Sequence, residues 1–180
     1  MRIKVARKQP NSIMCFACGL KNKSGIRASF YEMENDELIA LFNTTDEHQG
    51  YPGIVHGGIS SMILDETIGR AILVKHDDIW GYTVELNVKY IKPVPLCEEV
   101  RVAARITKDD DRFFEGTGEI LLKNGDVAVT GYGKYKKLPF DKLIKDKRDL
   151  IGWEIVAHAD DPTEIEYEQD KNIFHGDDSK

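Results

Sequence analysis

A chain of 180 residues, 41% hydrophobic and 31% charged, is long enough for one packed domain with a generous polar surface. No apolar run approaches the ~20 residues that span a bilayer, and the basic residues Arg2, Lys4, Arg7 and Lys8 lead into no apolar signal segment, so no membrane partner and a cytoplasmic location are expected. The net charge of -6 is concentrated at the end: Leu150 to Lys180 holds nine acids and two bases, and a near-neutral body with an acidic tail is not a nucleic-acid binder.

In chain order, the first motif is Cys15-Phe-Ala-Cys18. Its spacing is half a zinc site, but the third cysteine, Cys97, stands alone, so structural thiols and no metal are expected; a zinc shared between two copies stays open. Ile26 to Met33 and Leu38 to Thr45 read as strands about the turn Glu34 to Glu37. A loop from Asp46 to His56, with the turn pair Pro52-Gly53, leads to Gly57 and Gly58, which open a helix running to about Lys75. Ile59, Met62, Ile63, Leu64, Ile68, Ala71, Ile72, Leu73 and Val74 make that helix apolar nearly all round, which implies burial. Asp65 and Glu66 nevertheless sit in its middle. An unpaired buried carboxylate is expensive, so at least one of them should face a cleft or a second chain. Glu66, about 100° round the helix from Asp65, is expected at the surface or an interface.

Tyr82 to Ile91 alternates Val84, Leu86, Val88 and Tyr90 against Thr83, Glu85, Asn87 and Lys89, a strand with two distinct faces. Pro93 and Pro95 end it. Strands over Glu99 to Thr107, Phe113 to Leu122 and Val127 to Lys137 follow, the last two joined by the hairpin turn Lys123-Asn124-Gly125-Asp126. Two strands, one helix and a four-stranded meander imply an α+β fold in which an antiparallel sheet curls around the helix. Residues 1–137 would form this domain. Residues 138–180 would add a short helix over Phe140 to Ile151 and an acidic tail, with Trp153, Ile155 and Val156 docked on the body.

The element order, the helix entry Val55-His56-Gly57-Gly58 and Asp65 nine residues after the histidine resemble the hotdog-fold acyl-CoA thioesterases. The likeness is to the branch with phenylacetyl-CoA-type thioesterases and thioesterase-superfamily members. Cys15-Phe-Ala-Cys18-Gly19 with Asn22 and Gly25-Ile26, the strand Thr83 to Tyr90 and its exit Pro93-Val-Pro95-Leu96 strengthen it, over roughly residues 12–137. The resemblance implies a hotdog fold and a homodimer or dimer of dimers, with acyl-CoA bound at the subunit interface and no cofactor. Asp65 would be general base or nucleophile. Gly57 and Gly58 would offer N–H groups to the thioester oxygen, His56 would fix their loop, and Thr83 would help hold the water. The family's polar Asn six residues before the histidine is Gly50 here, with Gln49 adjacent as a substitute. Asn87 and Lys89 are candidate substrate contacts, Lys89 and Lys92 for the CoA phosphates.

Physical chemistry supports several of these roles. A helix N-terminus offers unsatisfied N–H groups and about half a positive charge to an oxyanion, and a partly desolvated carboxylate is a stronger base. Gly58 and Asp65 lie about 10 Å apart along one helix, too far for a single thioester carbon to touch both, so two chains are expected to share a site. The alternatives are a non-catalytic acyl-CoA-binding module and a hotdog hydratase or dehydratase, the latter suggested by His48 and Pro52-Gly53.

Overall fold

In the computed structural model, which describes residues 1–139 and 151–167, the central helix α1 covers Gly57–Arg70. It buries Ser60, Ile63, Leu64, Thr67 and Ile68, the i, i+3, i+4, i+7, i+8 stripe of a helix lying on a sheet. Thr67 folds its hydroxyl back onto the Ile63 carbonyl at 2.6 Å, which satisfies it without a partner from the sheet. The remaining turn, Ala71–Val74, tightens to a 3₁₀ helix, so the α-helix ends earlier than the apolar run suggests.

Eight strands surround it: β1 (Arg2–Lys8), β2 (Ser29–Met33), β3 (Leu38–Asn43), β4 (Ile79–Tyr90), β5 (Glu99–Asp109), β6 (Phe113–Leu121), β7 (Val127–Pro139) and β8 (Glu164–Glu166). They form one antiparallel sheet in the order β4-β7-β6-β5-β3-β2-β1-β8, which leaves β4 and β8 as the two edges. This is the expected hotdog architecture, except that only β5, β6 and β7 form a meander, while β4 pairs with β7 instead of β5. Its inner face packs Phe30, Leu38, Val102, Phe114, Ile120 and Val129 against Ile63, Leu64, Ile68 and Ile72. Each such fully buried aliphatic or aromatic side chain contributes roughly 1.5–3 kcal/mol. Gly116 and Gly118 let α1 approach closely, since a Cβ on either would sit 2.8 or 3.0 Å from Ile68.

Two strands extend the sheet beyond the sequence reading. β1 carries the basic N-terminal residues on a two-faced strand, Ile3 and Val5 against Arg2, Lys4 and Arg7. β8 pairs with it in the register Ile3↔Ile165. Together they complete a second, smaller core on the outer face of the sheet, where Ile165 and Tyr167 bury against Tyr31, Met33, Ile39 and Leu121. The expected helix over Phe140 to Ile151 falls, apart from Ile151, outside the described residues, as does the tail beyond Tyr167. Among the described residues no helix is long and apolar enough to cross a membrane.

The helix is not covered all round. Ile59, Met62, Asp65, Glu66 and Gly69 are only half-buried, because the sheet wraps one side of α1 and leaves the other open.

Candidate active site

The site is built on Asp65. Its Oδ1 accepts from the Thr83 hydroxyl at 2.9 Å and from the Tyr135 phenol at 3.2 Å, and the same phenol donates to the Asp65 main-chain carbonyl at 3.0 Å. Burial raises the carboxyl's pKa above its ordinary value; the two hydrogen bonds pull it back and the neighbouring charge of Glu66 adds to the rise. Oδ2 accepts from no described residue. The pairing leaves a carboxylate held by one oxygen and open at the other.

Thr83 reaches this carboxylate through a β-bulge. The β4–β7 register shifts between Thr83↔Tyr135 and Glu85↔Lys134, with Val84 as the extra residue. Before the bulge Thr83 faces the helix; after it Leu86 and Val88 turn inward while Glu85, Asn87 and Lys89 are exposed. The unbroken alternation read from the sequence placed Thr83 on the same face as Asn87 and Lys89. The bulge reverses that phase for the strand up to Thr83 and leaves Val84, read on the face of Leu86 and Val88, exposed.

Tyr135 was not singled out in the sequence. Its ring is fully buried, stacked on Phe114 with centroids 4.9 Å apart. Glycines make its slot: a Cβ at Gly133 would lie 2.5 Å from its Cε2, and one at Gly81 would lie 3.1 Å from its Cβ and 2.5 Å from Phe114 Cζ. The signal was available as Gly131-Tyr132-Gly133-Lys134-Tyr135, where glycines two and four residues before an inward tyrosine clear its face of the strand.

A cavity of about 350 Å³ opens against Asp65, Thr83 and Tyr135. Trp80, Leu73, Ile79 and Trp153 supply apolar walls, and the two tryptophan rings meet at 5.0 Å. Glu66 lines the same cavity rather than the outer surface. Its Oε1 accepts from Arg70 Nε at 2.7 Å, and that buried guanidinium lies over Phe30 and Trp153 at 4.3 and 4.6 Å. Cys15 and Cys18 complete this wall.

The other candidate residues gather elsewhere. His56 caps α1, its Nδ1 accepting the Gly58 N–H at 2.9 Å, so that N–H already has a partner in the single chain. Tyr90 donates to the Gly57 carbonyl at 2.9 Å and ties β4 to the helix start. Gln49 Oε1 accepts from Gly53 N–H and Gly50 N–H donates to Ile54 O, so both shape the turn before the helix. His48 is buried, taking the Thr45 N–H on Nδ1, which leaves Nε2 to donate to Ser24 O; it is a loop clamp. Asn87 and Lys89 are exposed on β4, and Lys92 is paired with Asp126 at 2.7 Å. Of the catalytic and substrate-binding candidates, only Asp65 and Thr83 line the cavity.

Comparison with known proteins bears on this arrangement. Residues 52–129 match the family model described as the thioesterase superfamily. The mouse acyl-coenzyme A thioesterase THEM4 is 34% identical over 85 residues, 47% of this chain and 36% of that protein. Mouse acyl-coenzyme A thioesterase 13 is 26% identical over 73 residues, 41% of this chain and 52% of that one. A crystal structure of a thioesterase superfamily protein superposes with a TM-score of 0.63 at 26% identity, covering 68% of this chain and 59% of its own. The aligned part thus spans from about a third to about half of these curated relatives. Asp65 and Thr83 lie inside the matched residues; Cys15, Cys18, Tyr135 and Trp153 lie outside them.

Proposed function

Since the chain has the hotdog fold and its residues 52–129 match the thioesterase superfamily, we propose that this chain hydrolyses an acyl-CoA thioester to the free acid and CoA, with Asp65 as the reacting carboxylate. The observation that carries the reading is the Asp65 arrangement: two hydroxyl donors on Oδ1, a free Oδ2, a raised pKa and an apolar cavity beside it. As general base, Oδ2 takes a proton from water as the water oxygen attacks the thioester carbon. The tetrahedral oxyanion is stabilised by backbone N–H groups, the carbon–sulfur bond breaks, and the CoA thiolate leaves and is protonated. As nucleophile, Oδ2 attacks the carbon itself, and water later opens the resulting anhydride.

The oxyanion donors come from a second copy of the chain. Gly57 and Gly58 sit at the opposite end of α1 from the cavity, and the helix places Gly58 about 10 Å from Asp65. Two observations support pairing of copies. The open face of α1 exposes Ile59 and Met62 in part, and the edge strand β4 exposes Tyr82, Val84 and Tyr90 at 62, 56 and 54%. An unpaired apolar edge is a ready site for strand addition. When acyl-CoA docks, its carbonyl oxygen replaces His56 Nδ1 as the acceptor for the Gly58 N–H.

The test is thiol release from short, long and aryl acyl-CoAs by the purified protein and by Asp65→Ala. Turnover of at least one substrate that disappears in the variant supports the proposal. Tight binding of acyl-CoA without turnover by the unaltered chain would make it a binding module instead. After single turnover in ¹⁸O-labelled water, label in Asp65 itself identifies the nucleophile, whereas label in the product acid alone is produced by general-base attack and also by opening of the anhydride at its acyl carbon.

A further inference from the structure

The wall of the cavity beside Asp65 carries a thiol pair that hydrolysis does not use. The Sγ atoms of Cys15 and Cys18 and a carboxylate oxygen of Glu66 all lie within 4.8 Å of one another. The chain turns sharply between the cysteines, with the Gly19 N–H donating to the Cys15 carbonyl at 2.8 Å. A turn of this kind holds α-carbons three residues apart within about 7 Å, the separation that a disulfide spans.

The surroundings of Cys18 are those of a thiolate. Its Sγ lies 3.0 Å from Arg70 Nη2, 3.5 Å from the Ser12 N–H and 3.4 Å from the Ser12 hydroxyl. Arg70 is fixed there by its stacking on Phe30 and Trp153 and by a 2.9 Å bond to the Pro10 carbonyl. The hydrogen bond with Cys15 pushes the Cys18 thiol down most, burial and the Glu66 charge oppose it, and the Arg70 charge adds to the fall; the same hydrogen bond and burial push Cys15 up. The pair therefore divides into a nucleophile and a protonated partner. A metal ion fits this wall poorly, because the guanidinium already stands against both Cys18 and Glu66 and supplies the positive charge.

We infer that Cys15 and Cys18 are a redox-active dithiol, oxidised through the cavity by a small hydroperoxide to an intrachain disulfide. The Cys18 thiolate attacks one peroxide oxygen and breaks the O–O bond, giving a sulfenic acid and hydroxide, which takes up a proton as water. The Cys15 sulfur then attacks Cys18 Sγ, the S–O bond breaks, and a second water leaves carrying the Cys15 proton. The peroxide is reduced by two electrons and the two thiols are oxidised by two. Hydrogen peroxide is close to water in size, and both cysteines belong to the cavity wall, Cys15 half-buried and Cys18 fully buried beside it. The inference stands on these contacts and does not depend on thioester hydrolysis.

The experiment treats the reduced protein with hydrogen peroxide, alkylates the remaining thiols and maps them by mass spectrometry, with metal content measured on the same sample. The exposed Cys97, whose Sγ has the acid Asp46 for a neighbour rather than a cation, is the internal reference. The expected result is loss of two hydrogens in a Cys15–Cys18 peptide, reversed by dithiothreitol, forming about tenfold or more faster than Cys97 oxidation. In Cys15→Ser the sulfenic acid at Cys18 should persist long enough for dimedone to trap it. Oxidation confined to Cys97, or a metal ion held stoichiometrically on Cys15 and Cys18, would overturn the inference.

Discussion

The Tyr135 hydroxyl lies 3.0 Å from the main-chain carbonyl of Asp65 and 3.2 Å from its Oδ1, so one phenol grips both the helix and the carboxylate that the helix carries. The Thr83 hydroxyl fills the other place on Oδ1. Removing either donor should weaken the ionised form of Asp65. A hydrogen bond to a charged group contributes about 1.5–3 kcal/mol, so Tyr135→Phe and Thr83→Val should each lower kcat/KM by about 10- to 100-fold. The acid limb of the pH–rate profile should move to higher pH in both, because the lost bonds held the carboxyl's pKa down. The double variant should lose less than the product of the two, as both donors serve one oxygen. An unmoved limb in Tyr135→Phe would leave the ring with a packing role only.

Asp65 itself should trade stability for activity. Burial raises its pKa, so the folded chain holds this proton more tightly than the unfolded chain does. The stabilisation linked to that proton is complete below the unfolded value of about 4 and is lost as pH rises through the folded value. At neutral pH the ionised carboxylate therefore costs stability. Asp65→Asn keeps an acceptor for Thr83 and Tyr135 and removes the charge. Its melting temperature at pH 7 should exceed that of the unaltered protein, the gap closing as pH falls towards 4, while turnover drops by about 10²–10⁴-fold. Thermal melts across pH beside thiol-release rates check both halves. A variant that is inactive and also less stable at pH 7 contradicts the linkage.

The position of Tyr135 depends on space that only glycine leaves. Gly133→Ala would set a methyl 2.5 Å from Tyr135 Cε2 and 2.7 Å from Cζ, displacing the ring from Asp65. Overpacking of this kind costs about 1–3 kcal/mol, and here turnover should fall with it. Gly125→Ala is the comparison. Gly125 has φ of +87° with nothing near its missing Cβ, so the substitution strains a turn far from the carboxylate. It should lower the melting temperature and leave kcat unchanged. Equal loss of turnover in both would mean that Gly133 acts through global stability alone.

Much of this design was legible in the residues, and the parts that were not share a cause. A carboxylate inside an apolar helical run announces itself, because its burial has to be answered by something; Asp65 was found that way. The strands β2 to β7 followed from alternation and turn residues, but not all of their pairing: β4, read as the first strand of a four-stranded meander, lies at the edge beside β7 rather than beside β5. Thr83 was placed on the wrong face because one inserted residue, Val84, reverses a period-two pattern without altering composition. The role of Tyr135 was missed because its partner lies 70 residues away: the glycines before it mark an inward ring but not what that ring meets. β8 was missed because it is only three residues long, and β1 because its charged residues outnumber its apolar ones, which bury on the outer face of the sheet. The physics of single elements can be read locally; the meeting of distant ones cannot.

That limit bears on the shared site. If Gly58 of one copy serves Asp65 of the other, a charge on the β4 edge should separate the copies and silence both. Val84→Asp is expected to shift the protein to a monomer in sedimentation and to abolish turnover, since no described interaction inside one chain depends on that exposed side chain. Loss of activity alone leaves the sharing open, so complementation decides it. Gly58→Pro deletes the N–H at the first turn of a helix, where proline is tolerated. It should be inactive, as should Asp65→Asn. Mixed after unfolding and refolding, half of the dimers carry one of each chain, and in these one of the two sites is intact. About a quarter of the unaltered rate should return. If each site were built within a single chain, each mixed dimer would hold two broken sites and the mixture would stay inactive.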